Sequence, residues 1–354
     1  MTAQLLTLNA GSSSVKFALF DPRRSLQVPS RVGQVDGIGT RQGPPDHARA
    51  LARVLEQLGG VAVGAVGHRI VHGGTLFAEP RCIDPGVLAG MSSLVPLAPL
   101  HQPHNLAGVL AAQAAFPDVP QVACFDTAFH RDTPALNQHF ALPRPWFERG
   151  VRRYGFHGLS YESIVGQLAA EPQGLRPRTV IAHLGNGASM AAVLDGRAVA
   201  TTMSFSPLDG LPMGTRCGRI DAAVVLHLMR HEGLSPDEVS RLLHRESGLL
   251  GLSGLSSDMR ELEASDEPDA RLALDYFVEQ VLRELAGMAA ALRGLDALVF
   301  TGGIGENAAG VRARIVQGAA WMGLRLDEQA NLHRQTRISR PDSPVEVRVL
   351  STGC

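Results

Sequence analysis

A chain of 354 residues with 45% apolar and 19% charged side chains has globular composition and enough length for two domains with substantial cores. Its formal charge of −1 excludes a general nucleic-acid surface or an acidic tail, so any anion site must be local. The four cysteines, Cys82, Cys124, Cys217 and Cys354, are far apart and form no CxxC pair, which points to a reduced, cytoplasmic protein without structural zinc or disulfides. No apolar run reaches bilayer length, and the N-terminus lacks the pattern of a secretory signal.

The first predicted element is a hairpin, LLTLNAGSSSVKFALF. A strand from Leu5 meets a polar turn (Asn9, Gly11, Ser12, Ser13, Ser14) and Lys16, and a second strand follows. Such a turn can gather backbone N–H groups into an anion nest, or simply close an ordinary hairpin. Arg, Gly and Pro in 21–45 predict loops and short strands. Helical spacing of Leu51, Val54, Leu55 and Leu58 predicts a helix over 46–58, stopped by Gly59-Gly60. A strand over 61–66 should deliver GHRIVHGG to a turn. Arg69 is the better functional candidate there, because an arginine near a core needs an anionic partner; His68 and His72 also fit as core or loop residues. A loop punctuated by Pro leads through His101, a functional, packing or capping residue, into a helix near Leu106. The strand 121–125 ends in Asp126, past the carboxyl end of a strand, where α/β proteins hold metals or orient reacting groups.

Prolines at 134, 143 and 145 break up the next segment and mark a domain boundary nearby, giving domains 1–126 and 127–354. Glycines flank His157 in RRYGFHG, and a helix should run over 159–169. VIAHLGNGASMAAVL then repeats the opening plan: a strand from Val180, a turn of Gly185, Asn186, Gly187 and Ser189, and another strand. Two such units half a chain apart suggest a duplicated fold whose halves face one polyphosphate. Residues 201–221 have neither helical nor strand period and carry Arg216 between glycines; a long loop of this kind is usually functional, and its guanidinium suits a carboxylate or phosphoryl group. Helices are expected at 222–231, 235–245 and 270–293, with a Gly/Ser-rich turn at 248–257 entering another near Asp258 and Arg260. A strand over 297–300 should run into a third glycine turn, TGGIGENA, with a helix from Val311.

The blocks NAGSSSVK, GHRIVHGG, PLHQPHN, FDTAFH, RRYGFHG, HLGNGAS, GTRCG and FTGGIGEN together resemble those of acetate kinases, in the same order and across nearly the whole chain. The resemblance implies an α/β fold of duplicated ribonuclease-H-like domains, of the acetate and sugar kinase, Hsp70 and actin type, with the active site in the interdomain cleft. It implies reversible, in-line phosphoryl transfer from ATP to acetate by a cytoplasmic homodimer using Mg²⁺ or Mn²⁺, with no nucleic-acid or membrane partner. By position, Asn9 is implied as the metal residue. Ser12, Ser14 and Lys16 would lie at the phosphate end, and Asp126 would complete the metal and phosphoryl surroundings. Arg69 and Arg216 would hold the carboxylate and the moving phosphoryl group, which His157 would bond in the transition state, with His101 nearby. His183, Asn186 and Gly187 would bind phosphates. Asp258, Met259, Arg260, Gly303 and Asn307 would form the adenosine pocket, while Val71, Leu100, Phe156 and Pro207 would enclose the methyl group.

Some positions depart from the pattern. Ser204 and Asp209 stand for a Gly and a Glu, Arg219 and Ala222 for an Asp or Ser and a Pro, and Tyr161 for a His. The family continues beyond the strand at 345–350 with a metal-site glutamate and a last helix, whereas this sequence stops at Cys354. That departure predicts weaker metal use and exposed apolar surface on the first domain. It keeps open a non-catalytic nucleotide binder as an alternative, beside a propionate kinase.

Overall fold

Two sheets of like topology carry the cores in the computed structural model, which describes residues 3–26 and 28–352. Cys354 lies outside the described residues. The chain divides into two compact units, one ending at Arg131 and one beginning at Asp132.

The first unit contains β1 (Gln4–Ala10), β2 (Ser14–Phe20), β3 (Arg31–Asp36), β4 (Val63–Ile70), β5 (Arg81–Cys82) and β6 (Gln121–Phe125), with helices α1 (His47–Leu58), α2 (Pro85–Ser93) and α3 (Gln102–Ala115). Its sheet runs β3-β2-β1-β4-β6-β5. The β1–β2 and β2–β3 pairs are antiparallel, and β1–β4 and β4–β6 are parallel. α1 forms where the leucine spacing predicts it. Asp46 caps it by accepting from Arg49 N at 2.8 Å, and Gly59 ends it at φ 64°; such a cap is worth about 1 kcal/mol. β4 extends through Ile70, four residues beyond the expected strand end. The reason is that β4 lies between β1 and β6 and pairs with both, and His68 is on its buried face, so it stays inside the sheet instead of marking a turn.

The second unit holds β7 (Arg178–Leu184), β8 (Ala188–Leu194), β9 (Arg197–Thr201), β10 (Ala297–Thr301) and β11 (Glu346–Val349). Its helices are α4 (Ala135–Gln138), α5 (Arg144–Glu148), α6 (Gly158–Ala169), α7 (Ala222–Arg230), α8 (Pro236–Arg245), α9 (Gly248–Ser253), α10 (Met259–Glu263), α11 (Pro268–Leu292), α12 (Gly302–Asn307), α13 (Ala309–Gly318) and α14 (Glu328–Leu332). The order β9-β8-β7-β10-β11 reproduces β3-β2-β1-β4-β6, with the same two antiparallel and two parallel pairings. The duplication expected from two hairpins is thus a property of whole sheets.

Two expected turns are helical. The Gly/Ser stretch at 248–257 begins with α9, and TGGIGEN forms α12 directly after β10. Glu306 Oε1 accepts from Gly302 N at 3.1 Å, closing the first turn of α12. Gly302 is required at this junction: its φ is +78°, and a Cβ would lie 2.8 Å from the Leu184 carbonyl oxygen.

Candidate active site

In the first unit, the candidate residues collect at the carboxyl ends of β1, β4 and β6. Asn9 and Lys16 are direct cross-strand partners on β1 and β2. Lys16 and Ser12 are exposed, and Asn9 and Ser14 are half-buried. The turn between them is braced from behind: His47 Nε2 donates to the Gly11 carbonyl at 2.8 Å, and Asn105 Nδ2 donates to the Ala10 carbonyl at 2.7 Å. Asn105 also accepts from Val71 N at 2.9 Å, so one buried amide joins the end of β1 to the residue after β4.

Arg69 finds its anionic partner in Asp126. Its Nε donates to Oδ1 and Oδ2 at 3.1 Å each, and NH2 donates to Oδ2 at 2.7 Å. The carboxylate side chain is 2% exposed and the guanidinium 34%, so the arginine is held from below and presents its outer edge. Asp126 N bonds the Ile70 carbonyl at 2.9 Å, which keeps the ends of β4 and β6 together. His68 is a core residue: Nε2 donates to Gln121 at 2.8 Å, and burial pushes its pKa down to about 4. His72 is buried and likewise lowered to about 4 by desolvation. His101 occupies the position before α3 without a side-chain capping bond, so capping is not its role. Val71 is buried and Leu100 half-buried.

In the second unit, His157 precedes α6 with φ 58°, a left-handed conformation that a non-glycine residue adopts at a cost. Its Nδ1 bonds Ser189 Oγ at 2.8 Å, and Ser189 in turn bonds the Tyr161 hydroxyl. Tyr161, the departure noted above, is fully buried and supports the Ser189–His157 contact. His183 bonds Ser160 at 2.8 Å, and the His157 and His183 rings lie 4.4 Å apart. A Cβ built on Gly187 would sit 3.4 Å from His157 Nε2 and 3.7 Å from Arg216 NH1. The hairpin turn therefore brings His157 and Arg216 to one glycine, where there is no side chain to keep a ligand away.

The loop carrying Arg216 is fastened on two sides. Gly214 N bonds the Asn186 carbonyl at 3.1 Å, and Leu249 N bonds the Met213 carbonyl at 2.8 Å. Arg216 NH1 donates to the Pro207 carbonyl at 3.0 Å. Pro207 and Phe156 are buried, and Asn186 is exposed.

On the nucleotide side, Gly303 and Asn307 are exposed on α12, with Asn307 Nδ2 donating to the Gly303 carbonyl at 2.8 Å. Gly303 N lies 3.7 Å from a Cβ built on Gly185, placing α12 against the phosphate turn. Asp258 caps α10 and pairs with Arg260 at 2.5 Å; the guanidinium and backbone bonds of Arg260 hold its carboxyl at about 2. Met259 is buried.

Sequence reading missed Asn105, Ser160 and Arg312, and it placed Ser189 in the phosphate turn without its contact to His157. Arg312 is fully buried on α13 and donates to Asn331 Oδ1 at 2.8 Å, to the Gly305 carbonyl at 2.9 Å and to the Asn331 carbonyl at 2.9 Å. It ties α12 to α14. The available signal was an arginine inside the apolar face of a helix, beside Val311, Ile315 and Val316. Ser160 carried no signal, because the histidine it holds is distant in sequence.

The sequence model of the acetokinase family matches residues 4–353. An acetate kinase of Methylocella silvestris is 48% identical over 384 residues, covering 99% of this chain and 95% of its own length. Among solved structures, a propionate kinase from Francisella tularensis superimposes with a TM-score of 0.93 at 35% identity, covering 99% of this chain and 96% of that one. The acetate kinase of Porphyromonas gingivalis gives a TM-score of 0.89 at 36% identity with the same coverages.

Proposed function

Since the chain belongs to the acetokinase family, we infer that it is an ATP-dependent phosphotransferase with acetate kinase activity. An acetate oxygen attacks the γ-phosphorus of ATP, the bond to the β–γ bridging oxygen breaks, and acetyl phosphate and ADP result. Acetate is already ionised near neutral pH, so no general base is needed. The work left to the protein is positioning and charge stabilisation.

The observation that best supports the residue roles is the approach of His157 and Arg216 to Gly187. Arg216 and His157 donate to the equatorial oxygens of the transferring group, and the Gly185–Gly187 turn, with His183 and Asn186, holds the phosphates behind it. Arg69, oriented by Asp126, takes the carboxylate, with Val71, Leu100, Phe156 and Pro207 as apolar surface for the methyl group and His101 nearby. Ser12, Ser14 and Lys16 serve phosphate oxygens. Asp258, Met259, Arg260, Gly303 and Asn307 serve adenosine.

The family generally uses Mg²⁺ with ATP. Among the described residues no three His, Cys, Asp or Glu side chains cluster to hold a metal on their own. This suits a cation that keeps several waters and leans on substrate phosphates. Asn9 has a hard side-chain oxygen of the kind it prefers and would be its protein contact, while Asp126, bound to Arg69, would add negative charge to the surroundings. When bound, it neutralises charge on the phosphates.

No helix among the described residues is long and apolar enough to cross a membrane. Val224, Leu226 and Met229 on α7 are 41%, 47% and 37% exposed, which supports a homodimer; a monomer mass by sedimentation would remove that part.

The deciding experiment traps acyl phosphate with hydroxylamine, using the 354-residue chain, MgATP and acetate or propionate. Hydroxamate should form with acetate, and its absence would overturn the assignment. Propionate should react less well, since one methylene in an apolar pocket is worth about 1–3 kcal/mol. Val71→Ala should raise the propionate-to-acetate ratio of kcat/KM; an unchanged ratio removes Val71 from the pocket.

A further inference from the structure

We propose that Ser204 and Asp209 form a positioning pair that sets His157 and Arg216 in register with each other. The proposal rests on the reading above that those two residues act on the phosphoryl group. Ser204 Oγ donates to Asp209 Oδ2 at 2.5 Å, and Asp209 Oδ1 accepts from Gly210 N at 2.8 Å. This closes the bend 204–209 on itself.

The bend touches the site at two places. Through its backbone, the Ser204 carbonyl accepts from Tyr154 N at 3.0 Å and Gly155 N at 3.2 Å, just ahead of His157. His157 at φ 58° is left-handed, a costly conformation for a residue with a Cβ that must be restrained from outside, and Gly155 at φ 81° turns the chain just ahead of it without that cost. At its apex, the Pro207 carbonyl accepts from Arg216 NH1 at 3.0 Å. Arg153 adds a third link, with NH1 3.7 Å from Asp209 Oδ2. The far side is held by Arg219, whose N bonds the Gly210 carbonyl at 2.9 Å and whose guanidinium pairs with Glu284 of α11 at 2.8 Å. Opening the bend would therefore displace one anchor of Arg216 and one anchor of the His157 backbone together.

The pair also has a size rule. A hydroxyl and a short carboxylate fill a space that a glycine and a carboxylate one methylene longer would also fill. Asp209→Glu alone places that methylene against the Ser204 hydroxyl. In Ser204→Gly/Asp209→Glu the space is returned, and the longer acid reaches toward Arg153.

The test measures kcat, both KM values and melting temperature for five variants. Ser204→Ala, Ser204→Gly, Asp209→Asn and Asp209→Glu should each lower kcat about tenfold, since small displacements of positioning groups are costly, while KM for ATP stays near that of the parent. Ser204→Gly/Asp209→Glu should recover to within about twofold of the parent, a departure from additivity that generic destabilisation does not give. Unchanged kcat in both Ser204→Ala and Asp209→Asn, or losses that multiply in the double variant, would overturn the pair. An inactive parent would count against the reaction instead. The pair is then decided by amide hydrogen exchange over 204–218: faster exchange in Ser204→Ala supports it and an unchanged rate overturns it.

Discussion

Arg216→Ala should lower kcat for acyl phosphate formation by about 10²–10³-fold, the usual cost of losing one donor aimed at developing charge. The protein should remain folded. Arg216 is only half-buried, and it donates to the neutral Pro207 carbonyl at 3.0 Å and to Met213 Sδ at 3.5 Å. Arg216→Lys should not restore the rate, because an ammonium cannot keep the Pro207 anchor and present a planar pair of donors outward. Arg69 differs: its partner Asp126 is 2% exposed, so Arg69→Ala leaves a buried carboxylate without its cation and should cost stability as well as rate. The discriminating measurement is kcat beside the melting temperature for both variants. A kcat for Arg216→Ala within about tenfold of the parent would take Arg216 out of charge stabilisation.

Stability should fall steeply between pH 6.5 and about 4, before most carboxylates titrate. Burial lowers His68 and His72 from 6.5 to about 4, so both stay neutral in the native state while the unfolded chain takes up protons. The stabilisation is fully present above pH 6.5, declines as pH falls through the window, and changes no further once the native histidines protonate near 4. A shift of this size corresponds to about 3 kcal/mol per histidine. Desolvation lowers His244 too and adds in the same direction, while Glu263 and Glu284, raised by burial, offset part of the loss as they protonate. Asp258, Asp296 and Asp342, held low by Arg260, Arg178 and Arg325, lose their contribution only at lower pH. Urea midpoints measured every half unit from pH 7 to 4.5 check this. His68→Gln should flatten the slope, and an unchanged slope would exclude His68 as its source.

These two effects were unequally visible before the fold was known. Arg216 stood out as a cation in a glycine-flanked loop without period. His68 and Arg69 are neighbours in one block, yet one is a core imidazole and the other a ligand candidate. That difference arises because successive residues of β4 point to opposite faces. TGGIGEN read as a turn because glycine lowers helix propensity; the Glu306 bond to Gly302 N and the approach to Leu184 turn it into α12. Ser204, Asp209, Ser160 and Arg312 carried no role in the sequence, since each acts through a partner that is brought near only by folding.

The two hairpins, the family blocks and a set of charged candidates for phosphoryl transfer were legible in the sequence, because local periodicity and glycine chemistry are written residue by residue. Only the tertiary structure decided that Asp126 orients Arg69, that Ser189 and Tyr161 support His157, and that the bend at 204–209 links His157 to Arg216. Hydrogen bonds need atoms within about 3 Å, and such proximity between residues distant in the chain is a product of sheet order and helix packing, with no counterpart in local composition.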